Sequence, residues 1–179
     1  MRIISGDLKG RYIQNLKNFR ARPTTDMARE ALFNVLAHSI EFEDISVLDL
    51  FSGTGLISYE FASRGCNDIV SVEKDSHHQK FISKQINIFG LGDKIISLKA
   101  DVFSYLKRAP QQKFDLIFAD PPYDLPNFDD VLPSIINSET AKEGATIIIE
   151  HGPEKDYSNL DNFSQLRKYG KVHFSFFEV

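Results

Sequence analysis

Val47-Leu48-Asp49-Leu50-Phe51-Ser52-Gly53-Thr54-Gly55 reads as a buried β-strand running straight into a glycine loop, and Leu56 then opens a helix. Gly53 and Gly55 carry no Cβ, so the loop can turn tightly and bring backbone close to a ligand. The first N–H groups of the helix lack partners within it and point at the same place. Glu73 ends the next apolar run, Ile69-Val70-Ser71-Val72, twenty residues after Gly53. That spacing suits a carboxylate gripping ribose hydroxyls at the tip of a second strand. The competing reading is an ordinary strand-loop-helix junction with chance glycines, so nucleotide-type binding is a hypothesis here.

Working outward, strand and helix alternate from Ile45 onward. Strands are predicted at Ser46–Leu50, Ile69–Val72, Ile95–Leu98, Phe114–Ala119 and Thr146–Ile149. Helices are predicted at Leu56–Ser63, His77–Phe89, Phe103–Lys107 and Phe128–Asn137. Strands this uniformly apolar, separated by helices, indicate a parallel sheet covered on both faces. At the end of the chain, Gln165–Tyr169 and Val172–Phe177 flank Gly170-Lys171, a hairpin that adds antiparallel pairing at one edge.

Ahead of this core, Arg2–Ser5 and Arg11–Gln14 look like short strands around the turn residues Asp7-Leu8-Lys9-Gly10. Thr24 or Thr25 caps a helix with Asp26 in its first turn. Met27, Ala31, Leu32, Val35 and Leu36 fall at helical spacing and give it one apolar face for the main body. The reading is one domain over 1–179: a basic hairpin arm at 1–22, a helix at 23–40 and an α/β core at 45–179.

The 179 residues, 42% hydrophobic and 26% charged, suit a single soluble globular domain. No apolar run approaches the eighteen or so residues a membrane span needs, and charge arrives too early for a signal peptide. A lone Cys66 excludes an internal disulfide framework and fits a reducing cytoplasm. The net charge of −4 argues against indiscriminate nucleic-acid binding. Yet Arg2, Lys9, Arg11, Lys17, Arg20 and Arg22 face a single acid, Asp7, within the first 22 residues. A basic arm on an acidic body suggests a local phosphate-binding face, with a solvated tail as the alternative.

The second informative stretch is Phe114-Asp115-Leu116-Ile117-Phe118-Ala119-Asp120-Pro121-Pro122-Tyr123. Asp120 emerges at the C-terminal end of a buried strand, where ligands bind in open α/β sheets. Two prolines fix φ and remove two N–H groups, which leaves nearby carbonyls free to accept hydrogen bonds. A carboxylate, a carbonyl and a stacking ring suit a planar molecule bearing an exocyclic NH₂. Two acceptors on the two amino hydrogens favour a pyramidal nitrogen, whose lone pair can then attack an electrophile in line. The alternative is that the prolines merely stop the strand.

Asp49-Leu50-Phe51-Ser52-Gly53-Thr54-Gly55 together with Asp120-Pro121-Pro122-Tyr123 resembles the class I S-adenosylmethionine-dependent methyltransferases that act on amino nitrogens. Arg2-Ile3-Ile4-Ser5-Gly6, Lys9-Gly10-Arg11, Arg22-Pro23-Thr24-Thr25-Asp26 and Arg29-Glu30-Ala31-Leu32-Phe33-Asn34 resemble the RsmD family, which methylates guanine N2 in bacterial small-subunit ribosomal RNA. The likeness runs from Arg2 through Glu150 and, in pattern, into the terminal hairpin. It implies a Rossmann-like fold with a mostly parallel seven-stranded sheet, an antiparallel C-terminal edge hairpin and an N-terminal β-hairpin appendage. It also implies S-adenosylmethionine contacts at Asp49, Phe51, Ser52, Gly53, Thr54, Gly55, Glu73, Lys74, Asp101 and Val102, without a metal. Asp120, Pro121, Pro122 and Tyr123 would hold the base, and Arg2, Lys9, Arg11, Arg20 and Arg22 the RNA. Ribosomal RNA, in or out of an assembling small subunit, is the implied partner of a cytoplasmic monomer. Ser52 and Thr54 stand where the family more often has Ala and Ser, both conservative changes.

Three rival readings follow from the same residues. Asp-Pro-Pro-Tyr also suits methylation of adenine N6 in DNA, although so short a chain shows no separate target-recognition domain. A nicotinamide dehydrogenase would need a third glycine where Ser58 stands. A non-catalytic RNA-binding module would not need both motifs intact. Adjacent His77 and His78, without paired cysteines, make a poor zinc site. Glu150-His151-Gly152-Pro153 follows the fifth strand, where the sequence does not fix its direction.

Overall fold

In a computed structural model, described over residues 1–13, 25–108 and 111–179, seven strands form one sheet in the order β3-β2-β1-β4-β5-β7-β6. The strands are β1 Ser46–Leu50, β2 Asp68–Glu73, β3 Ile95–Lys99, β4 Phe114–Ala119, β5 Ala141–His151, β6 Phe163–Tyr169 and β7 Val172–Glu178. The first five run parallel, and β7 joins β5 and β6 antiparallel. The helices are α1 Asp26–Leu36, α2 Leu56–Ser63, α3 Ser76–Phe89, α4 Val102–Lys107 and α5 Val131–Asn137. Among the described residues no helix is long and apolar enough to cross a membrane.

The two core clusters identify the two faces. Val47, Ile69, Leu116, Phe118 and Ile148 pack with α1, α2 and α3. Leu48, Leu50, Val72, Ala119 and Ile149 pack with α4 and α5. Strand order reverses between β1 and β4, so a crevice opens at their C-terminal ends.

α1 departs from its predicted face. Its buried residues are Ala28, Arg29, Leu32, Phe33 and Leu36, while Met27 is 66% exposed. The inward stripe contains an arginine because Arg29 meets a buried acid: its Nε donates to Glu60 on α2 at 3.0 Å. Apolar counting cannot see such a partner. Thr25 is the N-cap, its Oγ1 accepting the Ala28 N–H.

The N-terminal hairpin is narrower than predicted. Arg2 and Tyr12 form one isolated bridge, supported by bonds from Ile3 N–H to the Arg11 carbonyl and from Ile13 N–H to Met1. Lys9, Gly10 and Arg11 N–H close the turn within the hairpin, while three other donors turn to α2. Asp7 N–H caps the Ser63 carbonyl at 2.7 Å, Leu8 N–H donates to Ser63 Oγ, and Ile4 N–H to Glu60. α2 is thereby buried all round.

Gly6 makes that docking possible, with φ +79° and an added Cβ that would sit 1.8 Å from the Ser63 carbonyl oxygen. Gly6→Ala is expected to undock the turn and destabilise the protein by at least the ~1–2 kcal/mol of a left-handed alanine. At roughly 2–4 °C per kcal/mol for a chain of this size, a thermal melt reads the loss, and an unchanged midpoint would exclude the contact.

Two smaller differences concern ends. β5 begins at Ala141, five residues before the predicted start, with a register shift against β4 between Phe114 and Leu116. The predicted Phe128–Asn137 helix divides into a 3-10 turn, Phe128–Asp130, and α5.

Candidate active site at the sheet's C-terminal rim

The glycine loop is shaped by its own hydrogen bonds. Phe51 takes φ 58°, rare for a residue with a side chain, and Gly53 and Gly55 follow at 54° and 77°. Ser52 Oγ donates to the Asp49 carbonyl at 2.7 Å, Ser52 N–H to Val72, and Gly55 N–H to Ser52. A Cβ on Gly55 would lie 2.6 Å from the Tyr59 hydroxyl, so the loop rests directly on α2. Gly53 N–H donates to Glu73 Oε2 at 2.8 Å, and Glu73 Oε1 accepts from Asp75 N–H. The N–H groups of Ser52, Gly53 and Gly55 are thus satisfied within the chain.

Asp49 is 1% exposed and receives the Ser58 hydroxyl at 2.5 Å. Ser58, the residue occupying a dehydrogenase's third-glycine position, is thus a hydrogen-bond partner of the motif's acid. Burial pushes Asp49 up to about 7 against the opposing Ser58 bonds.

Each of the five parallel strands carries an acid at this rim: Asp49, Glu73, Asp101, Asp120 and Glu150. Strand alternation places Asp49 with Val47, Asp120 with Phe118 and Glu150 with Ile148, all on the α2 face. Ala119 pairs with Leu50 on one side and Ile149 on the other, so Asp120 lies between its two acidic neighbours. Asp120 N–H reaches the Leu50 carbonyl at 3.3 Å. Burial, then Glu150, then Asp49 push the Asp120 carboxyl well above the usual range. Glu150, 2% exposed, is the residue that sequence order could not orient. The parity of Ile148 and Glu150 against Phe118 and Asp120 orients it once the β4–β5 register is known.

Beyond Asp120, Pro121 is buried and Tyr123 is 51% exposed. The Pro122 carbonyl accepts the Leu125 N–H at 2.9 Å, so this expected free acceptor is already engaged. Asp101 caps α4 through Ser104 N–H and pairs with Lys74 Nζ at 3.1 Å. Partial burial raises its pKa, but those two partners outweigh burial and leave it below the ordinary value. Val102 puts its side chain in the core, which leaves only its backbone for a ligand. Phe51 and Phe103 meet edge to face at 6.4 Å, forming an apolar wall beside these acids.

Among the described residues, the basic side chains of the arm's turn, Lys9 and Arg11, stand apart from this crevice, and Lys17 lies outside the described residues. Lys9 and Arg11 are exposed near the turn docked on the C-terminal end of α2, about 12 Å of helix away from the loop. Arg2 pairs with Asp26 at 3.7 Å. Arg20, Arg22, Pro23 and Thr24 lie outside the described residues. Among the described residues, no group of three or more His, Cys, Asp and Glu side chains is arranged to hold a metal ion.

A doubly wound sheet with an antiparallel edge and a glycine loop at its switch point is a Rossmann-like class I methyltransferase fold. A solved structure of yhhF from Escherichia coli superimposes with a TM-score of 0.86 at 25% identity, covering 99% of this chain and 97% of that one. The Buchnera aphidicola protein named ribosomal RNA small subunit methyltransferase D is 30% identical over 171 residues, 93% of this chain and 85% of its own. Its Haemophilus influenzae namesake is 28% identical over 174 residues, 94% and 87% of the two chains. The profile of the family described as "Conserved hypothetical protein 95" matches residues 1–178. The chain belongs to that family, the RsmD family of S-adenosylmethionine-dependent methyltransferases.

Proposed function

We propose that this chain methylates the exocyclic N2 amine of a guanine in small-subunit ribosomal RNA. The observation that carries the reading is Asp120, held between Asp49 and Glu150 on the α2 face and followed by Pro121, Pro122 and Tyr123. The names of the relatives supply the RNA class, and the site chemistry supplies the amine.

The donor set fits S-adenosylmethionine better than a dinucleotide. The N–H groups of Ser52, Gly53 and Gly55 are consumed internally and the rim is lined by carboxylates, so a pyrophosphate would meet repulsion where a sulfonium and an ammonium meet attraction. Glu73 and Asp101 would accept from ribose hydroxyls and the adenine amine, with Phe51 and Phe103 against the ring. Lys74 would hold Asp101, and Asp49 and Ser58 would set the loop's height. When bound, S-adenosylmethionine supplies a methyl already activated towards a nucleophile.

The protein's own tasks are then placement and proton control. Reaching a guanine in folded RNA requires extruding it, which costs a few kcal/mol and is offset by stacking, here on Tyr123, and by edge contacts. Asp120 accepts an amine hydrogen and aims the nitrogen lone pair. Once the nitrogen takes the methyl in exchange for sulfur, Asp120 or water would accept the amine's surplus proton. Alignment of this kind supplies roughly 7–11 kcal/mol.

Mapping methylated nucleotides in ribosomal RNA from cells with and without the protein tests the assignment. Retention of every guanine N2 methylation after deletion would overturn it, and calorimetry with S-adenosylmethionine and NAD tests the cofactor. A pH prediction follows as well. Asp120 can take the amine's proton only when ionised, so kcat/KM should rise with pH along an acid limb above the ordinary carboxylate range. Glu150→Gln removes one raising cause and is expected to move that limb to lower pH; an unmoved limb would exclude the coupling.

A further inference from the structure

We propose that the tip of the C-terminal hairpin, Arg167, Lys168 and Lys171 around Tyr169, is a contact surface for RNA phosphates flanking the target base. The proposal rests on the RNA-methylating function above and names a surface distinct from the N-terminal arm. Three cations fall within five residues, Arg167-Lys168-Tyr169-Gly170-Lys171, with no acid among them. All three are exposed.

Topology puts this tip at the catalytic rim. His151, the last residue of β5, pairs with His173, and β6 pairs Tyr169 with Val172, so Gly170 and Lys171 turn just beyond the C-terminal end of β5. β7 and β6 lie two and three strands from β4. At about 4.8 Å per strand, that is roughly 10–14 Å sideways from β4, and the tip stands about three residues, roughly 10 Å, further along the strands than Asp120, within reach of a few nucleotides. The Lys9 turn, by contrast, docks at the far end of α2.

Alternation sends Arg167 and Tyr169 to the α1 side, where they line an open groove of about 460 Å³ with Ala31, Asn34, Val35 and His38. Val35 and Tyr169 give it an apolar floor, and Arg167, Asn34 and His38 give it polar lips. Lys168 faces the other way, towards Asp156, whose Oδ1 already accepts the Ser158 N–H. Arg167 Nε donates to Gln165, which holds the guanidinium along the strand. An anionic strand over the rim would meet cations on both sides of β6 and at its tip, beside the acid-lined crevice.

β6 is also an edge strand, and lysines on an edge discourage unwanted pairing with other chains. Lys171 sits in the turn, off the ladder, where it guards nothing. The test compares wild type with Arg167→Gln/Lys168→Gln/Lys171→Gln, reading affinity for a small-subunit ribosomal RNA fragment against salt concentration. Each lost phosphate contact lowers the slope of log K against log salt by about 0.7–0.9, so the triple variant should lose about 2. S-adenosylmethionine binding and the melting temperature should not change. Equal slopes would overturn the hairpin surface, and equal slopes with self-association would make these cations edge guards only. A wild-type protein that binds S-adenosylmethionine but no RNA would instead sink the function on which the proposal rests.

Discussion

Asp120→Ala is expected to lower kcat by about 10²–10⁴-fold, the usual contribution of a positioned proton acceptor, while leaving S-adenosylmethionine affinity nearly intact. That loss corresponds to roughly 3–5 kcal/mol of transition-state stabilisation. Asp120→Asn should do no better, because its NH₂ would point a donor at a donor. The variant should also be at least as stable as wild type at neutral pH. Burial and two carboxylate neighbours hold the Asp120 pKa above its unfolded value, so the folded chain binds this proton more tightly. Folding therefore loses stability as pH rises above about 4 and through the raised pKa, and removing the acid removes that loss. A single-turnover assay beside melts at pH 5 and 8 reads both effects. Near-normal turnover, or a melt that collapses on substitution, would return Asp120 to an architectural role.

The second large effect concerns Glu60, far from the chemistry. Glu60 and Arg29 side chains are both fully buried and bonded at 3.0 Å. Glu60 also accepts the Ile4 N–H at 2.8 Å and is paired with Arg64. Arg29 reaches the Arg2 carbonyl at 2.8 Å and Asp26 at 3.0 Å. One carboxylate thus ties α1, α2 and the N-terminal arm together. Glu60→Ala leaves a guanidinium in the core without its acid, which costs about 3–5 kcal/mol. The melting temperature should fall by on the order of 10 °C. Arg29→Met with Glu60→Leu should recover part of that loss, since the fully buried guanidinium leaves with its acid while Arg64 and the Ile4 N–H still lose a partner. A Glu60→Ala melt within 2 °C of wild type would disprove the knot.

How far the fold could be read from sequence depends on what each element buries. β1, β4 and α2 match their predicted limits residue for residue, because β1 and β4 run out towards Gly53 and Pro121 and α2 sits between Gly55 and Gly65. Elements with one face on solvent were less legible. α1 carries apolar residues on both its flanks, so its buried stripe was set by Arg29 finding Glu60, 31 residues away. The predicted fifth strand begins at Thr146, yet β5 already starts at Ala141 and runs through Lys142-Glu143-Gly144, paired to neighbours that sequence order does not reveal. At the site, Glu73 and Asp120 were identifiable because each ends an apolar strand, and Asp49 because the glycine loop follows it. Glu150 needed the register between β4 and β5, and the engagement of the loop's donors needed coordinates.

The clasp of Ser5, Gly6 and Asp7 over Ser63 has a temporal consequence. The arm leaves the ribosome first, but the groups that satisfy it come about 56 residues later, so it must wait unpaired until α2 has formed. Closing so long a loop is slow relative to local helix formation, and the seam should seal late in folding. A nascent chain shorter than about seventy residues would then offer its first dozen to a protease, and the full-length protein would not.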